Sequence, residues 1–67
     1  MSNTYKKIEL TGTSGSSVEE AVSAALKKAS ESVRNMRWFE ITEIRGAING
    51  DKVSEWQVTL KVGFTVD

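Results

Sequence analysis

The side chains that most enzymes use for acid–base and nucleophilic chemistry are missing or unpaired in this sequence. It has no histidine and no cysteine, which removes the commonest general base near neutral pH and the commonest metal ligands. No motif pairs its glutamates or Asp51 for general acid–base catalysis, and no serine stands beside a suitable base. The sequence therefore favours a binding protein over an enzyme and gives no support to a metal site.

Two alternating segments around a turn signal predict a β-hairpin. The first covers residues 38–44, and the second, residues 54–66, alternates apolar and polar side chains. Asn49-Gly50 lies between them and is the favoured pair for a type I′ turn, whose two central residues both need positive φ. We therefore predict a hairpin with Asn49 and Gly50 as its two-residue loop.

This hairpin predicts which side chains share a face of the sheet. In its register Trp38 faces Lys61 and Thr42 faces Gln57, and directly opposed residues lie on one face. Trp38 is thereby predicted to lie on the polar face beside Gln57, outside the core. A large aromatic side chain next to an amide in that position is typical of a platform for stacking a flat ring.

Each candidate residue also has a plainer interpretation. Trp38 could be an ordinary interface or partly buried core aromatic, and Gln57 could be a solvated strand residue. Arg45 could form an ion pair with Glu43 or Glu55 rather than bind a phosphate. The sequence alone leaves both interpretations of these residues open.

Three further features are interpreted as structural. Trp56 heads the apolar row of the last strand and is predicted to be core. The pairs Lys6-Lys7 and Lys27-Lys28 are predicted to be solvated. Residues 12–15 precede a helix start, as a phosphate cradle would, but they lack the GxGxxG and GxxxxGK spacings. A turn followed by a helix cap is the favoured account of that segment.

A strand and a helix precede the hairpin. Residues 5–11 alternate and predict a strand, and residues 12–16 form a small polar turn. Ser17 is predicted to cap a helix of about 17 residues, with Glu20 completing a capping box. The apolar residues at helical spacing are Val18, Ala21, Val22, Ala25, Leu26, Ala29 and Val33.

The order strand, helix, strand, strand limits the topology. A helix between the first two strands favours a right-handed crossover that leaves them parallel, and the hairpin makes the last two antiparallel. Both conditions are met if the third strand lies between the others. The predicted fold is an α+β unit with β-α-β-β order and sheet order 2-3-1, packed on one helix.

The facing of the hairpin after Thr42 has two alternatives. Ile44 and Ile48 fall on the opposite parity from the apolar residues before them, and Arg45 would then point toward the helix. Either a β-bulge near Glu43 resets the facing, or that end extends past the helix and another subunit covers it.

The chain is small for a protein that folds alone. Its 67 residues are predicted to form one domain over residues 1–67, and domains of this size supply only about 3–5 kcal/mol of core stability. Without cysteine for disulfides, oligomerisation remains as the stabilising device. Strands of about 12 residues span roughly 40 Å, whereas the predicted helix spans roughly 25 Å. We therefore expect neighbouring chains to cover the rest of the apolar face.

Charge and hydropathy limit the partners. The nine basic and nine acidic residues cancel, which argues against nucleic acid, since its binding depends on unbalanced contacts to phosphate. No apolar run approaches the roughly 18 residues of a membrane span, and the N-terminus lacks a hydrophobic signal core. We expect a cytoplasmic protein with no membrane partner.

The sequence resembles the bacterial dodecins. The resemblance covers nearly the whole chain and rests on the first strand with its Gly-Thr-Ser, the capped alanine-rich helix, and residues 37–40, 44–46 and 56–64 in that order. Dodecins are small flavin-binding proteins whose twelve copies form a hollow shell. The resemblance therefore implies a homo-dodecamer that stores or sequesters flavin without catalysis.

The resemblance also implies a site. Two flavins are expected at a two-fold axis, sandwiched between one tryptophan from each of two subunits. Trp38 matches that tryptophan, Gln57 matches the glutamine at the polar edge of the ring, and Arg45 matches an arginine near the phosphate. The implied ligand is FMN, with riboflavin or another flavin as variants and coenzyme A as a possible second ligand. The alternatives are an oligomerising module with Trp38 at an interface and, less favoured, a flavin-dependent enzyme.

Overall fold

Three strands and one helix make up residues 3–66, the part of the chain that the computed structural model describes. β1 spans Thr4–Ser14, α1 spans Val18–Ala29, β2 spans Met36–Asn49 and β3 spans Lys52–Val66. β3 lies between the other two strands and is antiparallel to both, so β1 and β2 run in the same direction on either side of it. The predicted α+β fold, its β-α-β-β order and its sheet order are confirmed.

Three side chains hold the start of α1. Ser17 is the N-cap, and its hydroxyl accepts a hydrogen bond from the backbone N–H of Glu20 at 3.1 Å. In a capping box, the Glu20 carboxylate would accept from the backbone N–H of Ser17. Here it accepts from the Ser14 hydroxyl at 3.1 Å instead. Ser14 Oγ in turn accepts from the Ser17 N–H at 3.4 Å. The predicted capping box is thus half formed, with Ser14 as the bridge.

The helix ends earlier than its apolar spacing predicts. It has 12 residues, against a predicted length of about 17 residues. The N–H of Ser30 donates to the Leu26 carbonyl at 2.9 Å, and the Ser30 hydroxyl donates to the Lys27 carbonyl at 2.6 Å. Such a side-chain bond competes with continued helix, and Asn35 then adopts a positive φ of 63° as the chain enters β2. The predicted length was wrong because the apolar spacing continues to Val33, although the helix itself ends at Ala29.

The core lies between α1 and the middle of β3. Gly12 of β1 marks the closest approach of the helix, since a Cβ there would overlap the Ala21 carbonyl oxygen. The prediction that Trp56 belongs to the core is wrong. It is half-buried and lies outside the core cluster, because it is paired with Ser14, ahead of the start of α1. The buried apolar side chains are Ala21, Val22, Ala25 and Ala29 of α1 and Val58, Leu60 and Val62 of β3.

The hairpin turn lies one residue further along the chain than predicted. Asn49 pairs with Lys52, so Gly50 and Asp51 are the central residues, and of these two only Gly50 has positive φ, at 70°. Positive φ at the first central residue alone is typical of a type II′ turn. The predicted type I′ turn was therefore wrong, and the observed turn moves the pairing of β2 with β3 by two residues.

Three register shifts interrupt the pairing of β2 with β3, of which one lies at Arg37 and the other two set the facing of Ile44 and Arg45. Ser54 is an extra residue in β3, and Thr42 is an extra residue in β2. Because each shifts the register by one residue and they lie on opposite strands, their effects cancel beyond Thr42. Between them, Ile44 faces the helix side of the sheet and Arg45 faces the other side. Of the two alternatives, the structure has the bulge near Glu43, so Arg45 does not point toward the helix.

The helix covers only part of the apolar side of the sheet. α1 packs against β1 and β3, and exposure along β2 rises from 40% at Ile41 to 77% at Ile48. We call the exposed apolar side chains on this side of β2 the β2 row. It consists of Phe39, Ile41, Ile44 and Ile48. That neighbouring chains cover this row remains a prediction.

Candidate ligand-binding face

All three predicted site residues lie on the side of the sheet that faces away from α1. Val58, Leu60 and Val62 are buried in the core, so the alternate residues of β3 and the residues paired with them lie on the opposite side. We call this side the open face. It consists of Tyr5, Lys7, Glu9, Thr11 and Thr13 of β1; Glu55, Gln57, Thr59, Lys61, Gly63 and Thr65 of β3; and Trp38, Glu40, Glu43 and Arg45 of β2.

Trp38 forms a flat apolar platform at one end of the open face. It is opposite Gly63, not Lys61 as predicted, and a Cβ built on Gly63 would overlap three atoms of the six-membered ring of the indole. The ring therefore lies flat against the Gly63 backbone. Tyr5 packs edge-on against it, with ring centroids 4.9 Å apart and the planes at 67°. Trp38 is 38% exposed, so part of its surface is accessible for stacking.

A chain of polar side chains lies toward the other end of the open face. Arg45, and not Thr42 as predicted, is opposite Gln57, and its Nε donates to Gln57 Oε1 at 2.6 Å. Gln57 Nε2 donates to Glu55 Oε1 at 3.0 Å. Within residues 3–66 Arg45 forms an ion pair with neither Glu43 nor Glu55. Its hydrogen-bond partner is Gln57, which the sequence also identifies as a candidate site residue.

An ion pair crosses the open face between these two ends. Lys7 Nζ on β1 donates to Glu40 Oε1 on β2 at 2.8 Å, spanning β3, and both side chains are about half exposed. The hydrogen bond and the charge of Lys7 hold the pKa of the Glu40 carboxyl below its usual value, with a smaller contribution from the charge of Lys61. Lys7 is therefore more than the solvated residue that the sequence predicts.

Trp38 and Gln57 share a face, as predicted, but they are not neighbours. Gly63, the partner of Trp38, is six positions from Gln57 along β3, which is about 20 Å at the rise of an extended strand. Lys61 and Thr59 lie between them on this face. The structure thus places the aromatic platform and the amide at separate ends of one surface.

Three contributors to this surface were missed from the sequence. Tyr5 and Glu55 contact predicted site residues, and Gly63 has no side chain, so the indole of Trp38 can lie against its backbone. Gly63 left a readable signal, because a glycine within an alternating strand often marks a close approach by another group. The alternation places Glu55 and Gln57 on one face, but it does not predict a hydrogen bond between them.

Several other kinds of site have no counterpart in the described part of the chain. Residues 3–66 enclose no cavity, and they contain no cluster of three or more acidic side chains arranged to hold a metal ion. Within the same residues no helix is long and apolar enough to span a membrane.

Comparison with known proteins assigns the chain to a family. The family model described as Dodecin matches residues 4–67. This chain belongs to the dodecin family. It is 48% identical to the dodecin of Thermus thermophilus, over 100% of this chain and 97% of that protein.

Solved structures give the same result for the fold. A crystal structure of a Thermus thermophilus protein superposes with a TM-score of 0.94 at 47% identity, covering 98% of this chain and 97% of the other. The calcium dodecin of Mycobacterium tuberculosis, a calcium-chelating antigen with a novel calcium-binding site, superposes with a TM-score of 0.81 at 31% identity, covering 96% and 91% of the two chains. The family therefore includes a member described by calcium binding.

Proposed function

We propose that this chain is a cytoplasmic flavin store that binds flavin, in the form of FMN, as stacked pairs between subunits and performs no catalysis on it. The observation that carries the proposal is the indole of Trp38, which lies flat on the Gly63 backbone while the residue remains 38% exposed on the open face. A planar, electron-poor ring gains about 0.5–1.5 kcal/mol on such a platform beyond the area it buries. Trp38 is the proposed stacking residue.

Stacking alone accepts many flat rings, so a second group has to recognise the edge of the flavin. Gln57 suits this role because an amide both donates and accepts, matching the alternating N–H and C=O groups of that edge. Gln57 lies about 20 Å from the platform of its own chain, counted along β3. That is too far for one three-ring system to stack on Trp38 and also bond Gln57 of the same chain.

The separation supports a site built from two chains. If two copies meet across their open faces about a two-fold axis, Trp38 of one chain can stack on a ring whose edge reaches Gln57 of the other. The same axis generates a second, equivalent ring, which gives a pair of flavins between two indoles. We propose that sites of this kind occur within a homo-dodecamer, in which neighbouring chains cover the β2 row.

Arg45 is the proposed contact for the anionic part of the ligand. Its Nε donates to Gln57, whereas its terminal amino groups form no hydrogen bond or ion pair within residues 3–66. These groups remain as charged donors beside the amide. A phosphate or a ring oxygen would be a suitable acceptor.

Titration of purified protein with FMN tests the proposal. Saturable binding, one flavin per chain, and quenching of flavin fluorescence by the stacked indole are the expected results. Native mass measurement should find the flavin on an assembly of twelve chains. Steady consumption of NAD(P)H by the loaded protein would contradict the non-catalytic part of the proposal.

The second candidate function is an oligomerising module without a ligand. The exposed β2 row favours it, because that row needs a partner whether or not flavin binds. Under this alternative Trp38 packs against its symmetry mate. A colourless assembly that leaves the fluorescence of added FMN unchanged would support the module and reject the flavin store.

A further inference from the structure

Gln57 is held between two charged side chains of opposite sign. On one side Arg45 Nε donates to its Oε1 at 2.6 Å, and on the other Glu55 Oε1 accepts from its Nε2 at 3.0 Å. Glu55 and Gln57 are both half-buried, and the bond between them is partly buried as well. Hydrogen bonds to ionised groups are stronger than those between neutral groups. The amide is therefore restrained at both of its ends.

The two neighbours allow only one orientation of this amide. A guanidinium has donors and no acceptor, whereas an ionised carboxylate has acceptors and no donor. If the amide turned over, its NH₂ group would meet Arg45 and its oxygen would meet Glu55, and both hydrogen bonds would be lost. The chemistry of the neighbours thus fixes which atom of Gln57 lies on which side.

The restrained amide keeps one acceptor position and one donor for a ligand. Gln57 Oε1 accepts from Arg45 and has a second lone pair, and Nε2 donates to Glu55 and has a second N–H. A ring edge with an N–H next to a C=O, as in a cyclic imide or lactam, satisfies both groups at once. A ring whose ring nitrogen is methylated satisfies only one.

We propose that Glu55 is a positioning residue for the ligand site: by holding Nε2 of Gln57, it presets the amide for a planar ring with an imide edge. The proposal rests on the proposed flavin-binding function and deepens it by naming the ligand class. Arg45 restrains only the oxygen, so without Glu55 the NH₂ group loses its fixed partner. Glu55 itself needs no contact with the ligand.

Glu43 provides a matched control. It is a glutamate on the same face, but it accepts from the Thr59 hydroxyl at 3.5 Å and forms no hydrogen bond to Gln57. Glu43→Ala removes the same charge as Glu55→Ala without releasing the amide. Glu55→Gln keeps an acceptor oxygen where the carboxylate was, so it should preserve the orientation of Gln57.

The test compares two ligands that differ by one methyl group, lumiflavin and 3-methyllumiflavin, in fluorescence titrations of the assembled protein. The wild-type protein should prefer lumiflavin by about tenfold, which corresponds to one hydrogen bond. Glu55→Ala should reduce this ratio to about threefold or less. Glu55→Gln and Glu43→Ala should keep the wild-type ratio, and circular dichroism and native mass should be unchanged in all three variants.

A wild-type ratio retained in Glu55→Ala would overturn the positioning role, as would an equal loss of the ratio in Glu43→Ala. Absence of binding of either ligand to the wild-type protein would reject the flavin store and the positioning role together. A second readout needs no ligand. The side-chain NH₂ signals of Gln57 in an NMR spectrum should move toward those of a solvated glutamine side chain in Glu55→Ala, and unchanged signals would overturn the proposal.

Discussion

The indole of Trp38 and the backbone of Gly63 lie face to face across the pairing of β2 with β3. A Cβ on Gly63 would occupy the space of the indole, so the platform exists only because its seat has no side chain. Tyr5 packs against the ring with the two planes at 67°, and Trp38 remains 38% exposed. This pair of residues turns an ordinary strand position into a surface on which a flat ring can stack.

Gly63→Ala should therefore remove the platform while leaving the sheet formed. Gly63 does not have positive φ, so an alanine strains no backbone torsion, and its cost comes from expelling the indole. We expect FMN affinity to fall by about tenfold or more, the scale of one lost stacking contact. Gly15→Ala is the control, since a Cβ there meets nothing within 4 Å. Equal FMN affinity in the two variants would show that FMN binding does not depend on the absence of a side chain at position 63.

The two tryptophans provide a matched pair of substitutions. Trp38 lies on the open face, whereas Trp56 lies on the helix side of the sheet. Trp38→Phe should weaken FMN binding by about tenfold and reduce the quenching of bound flavin, because phenylalanine stacks less well than indole. Trp56→Phe should leave both unchanged. Fluorescence titration measures both quantities, and a larger effect from Trp56→Phe would place the ligand on the other side of the sheet.

Acid should remove the contribution of the ion pair between Lys7 and Glu40. The folded-state pKa of Glu40 lies below its usual value of 4.5, so the contribution to stability is present above that value and is lost as the pH falls through the lowered pKa. Both side chains are about half exposed, so the contribution is a small one that salt screens.

A double-mutant cycle measures this contribution. The difference in unfolding free energy between the wild-type protein and Glu40→Gln, at fixed chain concentration in urea, should shrink on acidification and at high salt. In a Lys7→Gln background, the pH-dependent effect of Glu40→Gln should be much smaller, with only the contribution of Lys61 left. An undiminished difference in that background would assign the lowered pKa to groups other than Lys7.

The helix cap predicts a stability effect that is separate from the ligand site. Ser17→Ala removes the acceptor of the Glu20 N–H and should cost about 1 kcal/mol. Ser23→Ala, at an exposed position within α1, should be neutral or slightly stabilising, since alanine is the better helix former. Urea unfolding at one chain concentration compares the two variants. A larger loss in Ser23→Ala would contradict the assignment of Ser17 as the cap.

Loss of apolar surface on the β2 row should weaken assembly before it weakens the fold. Ile48 is 77% exposed, so Ile48→Ser removes little contact within the chain and mainly lowers the burial that a neighbouring chain would gain. Native mass measurement on dilution should find smaller species for Ile48→Ser than for the wild-type protein. Lys27→Gln on the solvent side of α1 is the control, and equal dissociation of both variants would exclude this row from the interface.

Alternation along the chain correctly predicted which of these side chains share a face of the sheet, but the predicted register of β2 against β3 was wrong. Trp38 and Gln57 share a face because parity survives a shift of two residues, which is what the observed turn introduces. The turn itself was predicted wrongly, because a glycine can supply positive φ at either central position and both placements suit this sequence. The register error concealed the distance between the platform and the amide.

Other features could not be predicted because they depend on contacts between elements. The early end of α1 follows from bonds that Ser30 makes to preceding carbonyls, although the apolar spacing continues to Val33. The half-buried state of Trp56 follows from where the helix starts relative to β3. Both depend on how far one element extends over another, and residue spacing within each element does not contain that information.

The extra residue Thr42 has a consequence for insertions and deletions. It reverses the alternation of β2 in mid-strand, so Ile44 lies on the apolar side and Arg45 lies beside Gln57. A chain without Thr42 would keep both facings, because Ile41 and Glu43 would then pair with Leu60 and Thr59 as successive residues. A strand that kept Thr42 but paired it regularly would exchange the two, presenting an isoleucine to the amide and a guanidinium to the apolar side. Although Thr42 is exposed, the facing of Ile44 and Arg45 depends on its lying outside the pairing of β2 with β3.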